Sequence, residues 1–299
     1  MRLLIRSSLA AAIALAPALA FAAPALDGHG KGQACAAANP TATITTSGPG
    51  IVVALAGNEN NSISTLAPTM TPSGGGLTWH KFSDQNKITE PVNAVCPGPQ
   101  CSLLSFMYKS VWYAVSAGAI AGQTITATLS ASTDASGLIV FGVSGSDTST
   151  IFDPAQPCSE IEDPIAGSTA YLPGASTNAT NPFQLIESIS PNLDSVSAAP
   201  SGFTDIEYVA NASCAVHYYY DRASYQVYTG ALSNVTFTWT GTPGTGGHIF
   251  AGSAICGATG GCSGAVRSSC PNHPPPAAGA GILFQTPISY QGERMKAWQ

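Results

Sequence analysis

The segment QTITATL, Gln123 to Leu129, is followed after a short loop by LIVFG, Leu138 to Gly142. Far downstream SNVTFTW, Ser233 to Trp239, is followed in the same way by HIFAG, His248 to Gly252. Ile125 matches Val235, Thr126 Thr236, Thr128 Thr238, Leu129 Trp239, Ile139 Ile249 and Gly142 Gly252, all at an offset of 110 residues. Ile125, Ala127 and Leu129 share one face of an extended strand and Thr124, Thr126 and Thr128 the other, so one face packs and one is wet. A strand, a loop and a second strand written twice point to a duplicated half-sandwich whose copies pack into one core. The rival explanation, likeness between any two threonine-rich amphipathic strands, also yields β structure.

Outward from these strands the pattern continues. GIVVALAG from Gly50, LTWHKF after Gly74 to Gly76, LLSFMYKSVWYAV and GLIVFGVSG are short runs of β-branched and aromatic residues between Gly, Pro, Ser and Asn. Many short strands separated by turn signals indicate a sandwich or barrel. The pattern lapses from Phe152 to Asn181, which reads as a connector. It restarts with PFQLIES, GFTDIEYVA and CAVHYYYDRASYQVY. The predicted fold is all-β, a two-sheet antiparallel, jelly-roll-like sandwich of two related halves with irregular termini. Residues 1–22 read as a signal peptide, 23–45 as a flexible arm and 46–256 as the sandwich, with halves 46–150 and 182–256. Residues 257–299 read as a Gly, Pro and Cys-containing tail.

The order GIVVALAG, GGGLTWHKF, SVWYAV, GQTITATLSAS, GLIVFGVSG and, in the second half, HIFAGSAI resembles an uncharacterised β-sandwich module of bacterial exported and phage tail-associated surface proteins. The resemblance spans roughly residues 41 to 256. It implies a fold and a surface role and transfers no catalytic residue, because its motifs are packing motifs. The Cys96 to Cys101 loop and the cysteine-bearing tail depart from it.

Arg2 and Arg6 precede an apolar run from Leu9 to Phe21 that ends in Ala20-Phe21-Ala22. A basic flank, an apolar stretch too short for a bilayer and a small-x-small end are the pattern of a cleaved secretory signal. The mature chain is then secreted, extracellular or periplasmic, with no later membrane span. Loss of the two arginines moves the formal charge from −6 to −8. That balance excludes a nucleic-acid partner, which requires basic stripes to neutralise phosphates. Only 9% of residues are charged, so the usual surface-helix formers are scarce.

The mature chain holds Cys35, Cys96, Cys101, Cys158, Cys214, Cys256, Cys262 and Cys270. An even count in an exported protein reads as disulfides. Cys96 with Cys101 and Cys256 with Cys262 would close local loops; long-range pairing of each is the alternative. No CxxC signals zinc, and neither a metal nor a cofactor is called for.

Catalytic signatures are sparse. No GxSxG occurs, and GVSGS at Gly142 sits where a strand should turn. Phosphate-binding loops and HExxH are absent, and His29, His80, His217, His248 and His273 show no paired spacing. Asp205 and Glu207, two apart in a strand, could face a sugar as acid and base or bind calcium with Glu187. Glu160, Glu162 and Asp163 could coordinate Ca²⁺ but lack the spacing of known loops. Asn60, Asn178, Asn211 and Asn234 begin Asn-x-Ser/Thr triplets, which carry no weight in so polar a chain. Trp79, Trp112 and Trp239 suit the core. Alternation places His217 and Tyr219 on one side of a strand and Tyr218 and Tyr220 on the other, with Tyr225 and Tyr228 close behind. Exposed tyrosines offer an apolar plane with a hydroxyl rim, suited to stacking on sugar rings.

The sequence therefore leads to a non-enzymatic secreted module that binds a glycan, an envelope component or a cell-surface protein. The alternatives are a polysaccharide-acting hydrolase using the strand carboxylates and a self-assembling structural subunit with poorly guarded edges.

Overall fold

The computed structural model describes residues 23–61, 68–89, 105–153, 160–163, 171–179, 184–192, 196–214, 217–228, 232–241 and 248–258. These residues are all-β. The first half comprises β1 (Ala25–Cys35), β2 (Thr41–Thr46), β3 (Gly50–Asn61), β4 (Met70–Gly74), β5 (His80–Thr89), β6 (Ser105–Ser116), β7 (Ile120–Leu129) and β8 (Ala135–Ser144). The second comprises β9 (Glu160–Asp163), β10 (Tyr171–Ala179), β11 (Gln184–Asn192), β12 (Val196–Ala198), β13 (Thr204–Cys214), β14 (His217–Tyr228), β15 (Leu232–Gly241) and β16 (His248–Cys256).

The first half pairs these strands into a five-stranded sheet, β1-β8-β3-β6-β5, and a three-stranded sheet, β2-β7-β4. The second forms β9-β16-β11-β14-β13 and β10-β15-β12. Replacing every strand by the one eight places later converts the first arrangement into the second. The duplicated segments are thus β7 with β8 and β15 with β16, and the two halves share one topology with all pairing antiparallel.

Two cores explain the burial. Ala42, Ile44, Val52, Ala54, Ala56, Met70, Tyr108, Ile125, Ala127 and Val140 fill the space between the two sheets of the first half. Trp79 and Trp112 pack against its margin; the side chain of Trp239 lies outside the described residues. On the opposite face of β3, β6 and β8, Ile51, Val53, Leu55, Val111, Ile139, Phe141 and Val143 meet Ile206, Val209, Ala223 and Ile255 of the second five-stranded sheet. This is the core the halves share. Because the first five-stranded sheet is covered on both faces, β8 is buried from Ala135 through Val143, which is why GLIVFGV reads as a continuous apolar run rather than an alternating one. Each large side chain so buried contributes about 1.5–3 kcal/mol.

A bulge interrupts one outer strand of each five-stranded sheet, between Lys81 and Ser83 in β5 and between Asp205 and Glu207 in β13. The extra residue re-aims the local side chains, and Phe82 and Ile206 both enter the shared core. Phe82 stacks on Phe152 at a centroid distance of 3.8 Å, and Tyr113 meets the same ring edge-on at 5.4 Å. The backbone of Phe152 bridges to Ile255, so the segment leaving the first half is sewn into the second.

Two readings of the sequence are corrected. The stretch expected to be a flexible arm carries β1 and β2, and the stretch read as a connector carries β9 and β10. Gly28, Gly30 and Gly32 in this stretch mark a close approach of backbones: a Cβ at these positions would lie 1.8, 2.1 and 1.9 Å from the carbonyl oxygens of Thr45, Thr43 and Thr41. Glycine lets β1 of one sheet run against β2 of the other where the sandwich closes. The tail from 259 onward lies outside the described residues. Among those described, no helix is long and apolar enough to cross a membrane.

Candidate functional site

The edge strands β1 and β13, one from each half, lie side by side and are joined three times. Cys35 and Cys214 form a disulfide. Lys31 Nζ donates to the Tyr208 carbonyl at 2.8 Å and lies 3.0 Å from Glu207 Oε2. His29 Nδ1 lies 2.8 Å from Glu207 Oε1. Burial alone would push the Glu207 carboxyl up, but the hydrogen bonds and charges of Lys31 and His29 outweigh it and hold it below the usual range. A carboxylate depressed in the folded state stabilises above its unfolded value, about 4.3, and loses that contribution as the pH falls through the folded one. Glu207→Gln is therefore expected to flatten the fall in urea midpoint between mildly acidic and strongly acidic buffer. An unchanged acid dependence would show that this seam does not titrate.

The bulge in β13 separates the two carboxylates that the sequence places on one face. Glu207 sits opposite Ala223 of the shared core and turns to β1. Asp205 turns to the other side of the sheet, where Arg222 donates through Nε at 2.8 Å and through Nη2. Each carboxylate is thus committed to its own cation. Glu187 belongs to β11, separated from β13 by β14; its side chain, with those of Glu160, Glu162 and Asp163, lies outside the described residues.

The tyrosine strand divides likewise. Tyr219 is fully buried and so cannot stack on a ligand; its hydroxyl donates to Asp221 Oδ2 at 3.4 Å. Tyr225 packs half-buried on the shared core, and the Tyr228 hydroxyl donates to Gln226 Oε1 at 3.0 Å. The side chains of His217 and Tyr218 lie outside the described residues. Tyr220 is only partly buried and stacks on Tyr208 at 6.2 Å with planes 9° apart. Arg222 lies over the Tyr208 ring at 5.3 Å. Two parallel aromatic planes, a guanidinium and the exposed carboxylate of Asp205 thus form one polar-rimmed patch beside the edge of the second five-stranded sheet. In the first half Lys81 lies over the ring of Trp112, its partner across the β5–β6 ladder, at 5.7 Å.

A second cluster is hidden between the halves. Glu59, Lys109 and Asp221 are 3%, 1% and 1% exposed. Burial pushes the Asp221 carboxyl up to about 7, and the Lys109 charge and Tyr219 hydroxyl offset it only in part. Burial, with Asp221 and Glu59 nearby, likewise raises the Tyr219 phenol well above its ordinary value. The sequence reading missed this set, although a lysine inside FMYKSVWYAV, with Val111 and Tyr113 on its own face, is the kind of interruption that marks a buried charge.

A shallow groove of about 590 Å³ between Gly75–Leu77 and Val115–Ala121 holds no ionisable side chain. Among the described residues no group of three or more His, Cys, Asp or Glu is placed to hold a metal. Cys256 is also disulfide-bonded, its partner lying outside the described residues, as do Cys96, Cys101, Cys158, Cys262 and Cys270. No family model, no curated protein and no solved structure matches the chain.

Proposed function

We propose that the chain is an exported, non-enzymatic binding module that takes a glycan of an envelope or cell surface on the patch of Tyr208, Tyr220, Arg222 and Asp205. The observation that carries this reading is the parallel stack of Tyr208 and Tyr220 beside a sheet edge, rimmed by groups that donate and accept hydrogen bonds. A sugar ring offers one apolar face and a belt of hydroxyls, which such a patch complements. The disulfide between Cys35 and Cys214 suits an oxidising compartment. The division of Asp205 and Glu207 between two faces, each with a cation, weighs against a hydrolytic pair, which needs both carboxyls on one cleft.

The test is a glycan array probed with the oxidised protein, with release of reducing sugar followed in parallel. Saturable binding without sugar release is expected, and Tyr208→Ala or Tyr220→Ala should weaken it at least about tenfold, roughly 1.4 kcal/mol. Sugar release that is lost in Asp205→Asn would replace this reading with the hydrolase. Silence in both assays would sink the glycan reading and leave a protein partner.

A further inference from the structure

The hidden cluster brings one amine and two carboxyl groups together where water does not compete for them. Glu59 comes from β3, Lys109 from β6 and Asp221 from β14. Gly57 pairs directly with Lys109 in the β3–β6 ladder, so Glu59, two residues further on, is a diagonal neighbour of Lys109 on the same face. Tyr219 locates the facing strand: a Cβ on Gly57 would lie 2.0 Å from its hydroxyl oxygen. That hydroxyl also holds Asp221 Oδ2 at 3.4 Å. Asp221 therefore lies over the Gly57–Lys109 rung, and its other oxygen, Oδ1, makes no hydrogen bond among the described residues.

We propose that Lys109 and Asp221 condense into an intramolecular amide that joins β6 of the first half to β14 of the second, with Glu59 moving the proton. Amide formation requires a neutral amine, a protonated carboxyl group and a donor for the oxygen that becomes negative. The dry setting favours the neutral form of the acid, and Asp221 holds its proton up to about pH 7. The Lys109 ammonium passes one proton to the Glu59 carboxylate. The freed lone pair on Nζ forms a bond to Cγ of Asp221, and the charge that develops on Oδ2 is met by the Tyr219 hydroxyl. Glu59 relays a second amine proton to Oδ1, the Cγ–Oδ1 bond breaks, and water leaves. The products are one secondary amide, one water and a protonated Glu59, with no net change of charge and no oxidant or reductant.

Condensation also relieves a folding cost. Between the unfolded pKa near 4 and the folded value near 7, the native acid retains a proton that the unfolded chain releases, so free Asp221 makes the fold less stable as pH rises through that window. An amide does not titrate.

The test is the intact mass of the purified, oxidised, folded chain. The expected mass is one water below that of the sequence with its disulfides formed, and proteolysis should release a branched peptide joining the segments that carry Lys109 and Asp221. Lys109→Arg and Asp221→Ala should each restore the missing water, and Glu59→Gln should leave it in place in a chain whose circular dichroism is unchanged. A wild-type mass that retains the water after long incubation, with no branched peptide, overturns the proposal and leaves the three groups as an ordinary buried ion-paired cluster.

Discussion

Gly57→Ala should lower the unfolding free energy by about 3 kcal/mol, the upper end of the usual range for overpacking. The new methyl would meet the Tyr219 hydroxyl at 2.0 Å, the Tyr108 carbonyl oxygen at 3.0 Å and Tyr219 Cζ at 3.1 Å. The ring cannot retreat, because it also lies across Gly137, where a Cβ would stand 2.7 Å from Tyr219 Cε1. Gly57 and Gly137 are paired on adjacent strands, so they form a shallow seat for a single tyrosine of the other half. Tyr219→Phe in the same background removes the nearest atom and should restore part of the loss. A urea-unfolding double-mutant cycle reads the coupling directly. A Gly57→Ala protein as stable as the wild type would mean that Tyr219 does not sit on this seat.

Phe152→Ala should cost about 3–5 kcal/mol, as for other fully buried aromatic side chains. Its ring fills the space between Phe82 and Tyr113, and its backbone is tied to Ile255. The void left by the substitution would open onto side chains from both halves, so both should unfold at a lower denaturant concentration. The measurement is the urea midpoint by tryptophan fluorescence and by circular dichroism. A shift worth less than about 1 kcal/mol would show that the core is not shared through this residue.

The sequence made the β class and the duplication legible because period-two alternation in β7, and the apolar run in β8 with their counterparts downstream, need no knowledge of tertiary contacts. Three things escaped it for physical reasons. The glycines of β1 serve a close passage of two backbones, and composition cannot distinguish that use from flexibility. The bulge at Ile206 breaks the two-residue rule on which the pairing of Asp205 with Glu207 depended. Tyr219 and Tyr220 look alike in the chain, yet one is a core residue and the other only partly buried, and only the packing of the second half on the first decides which. Glu59, Lys109 and Asp221 are remote in sequence and meet only through that same packing.

Counted back from the residues opposite the two bulges, Val111 and Ala223, Lys109 and Asp221 occupy corresponding places in their halves. The repeated architecture therefore carries an amine in one half and a carboxyl group in the other at one matched position. Two first halves docked together in this manner would bury two lysines against each other, and two second halves would bury two aspartates, each an arrangement that a dry interface strongly penalises. Only unlike halves match. The repeat has thereby lost its interchangeability: at this one place an amine of the first half answers a carboxyl group of the second, and neither half carries the group that its own copy would need.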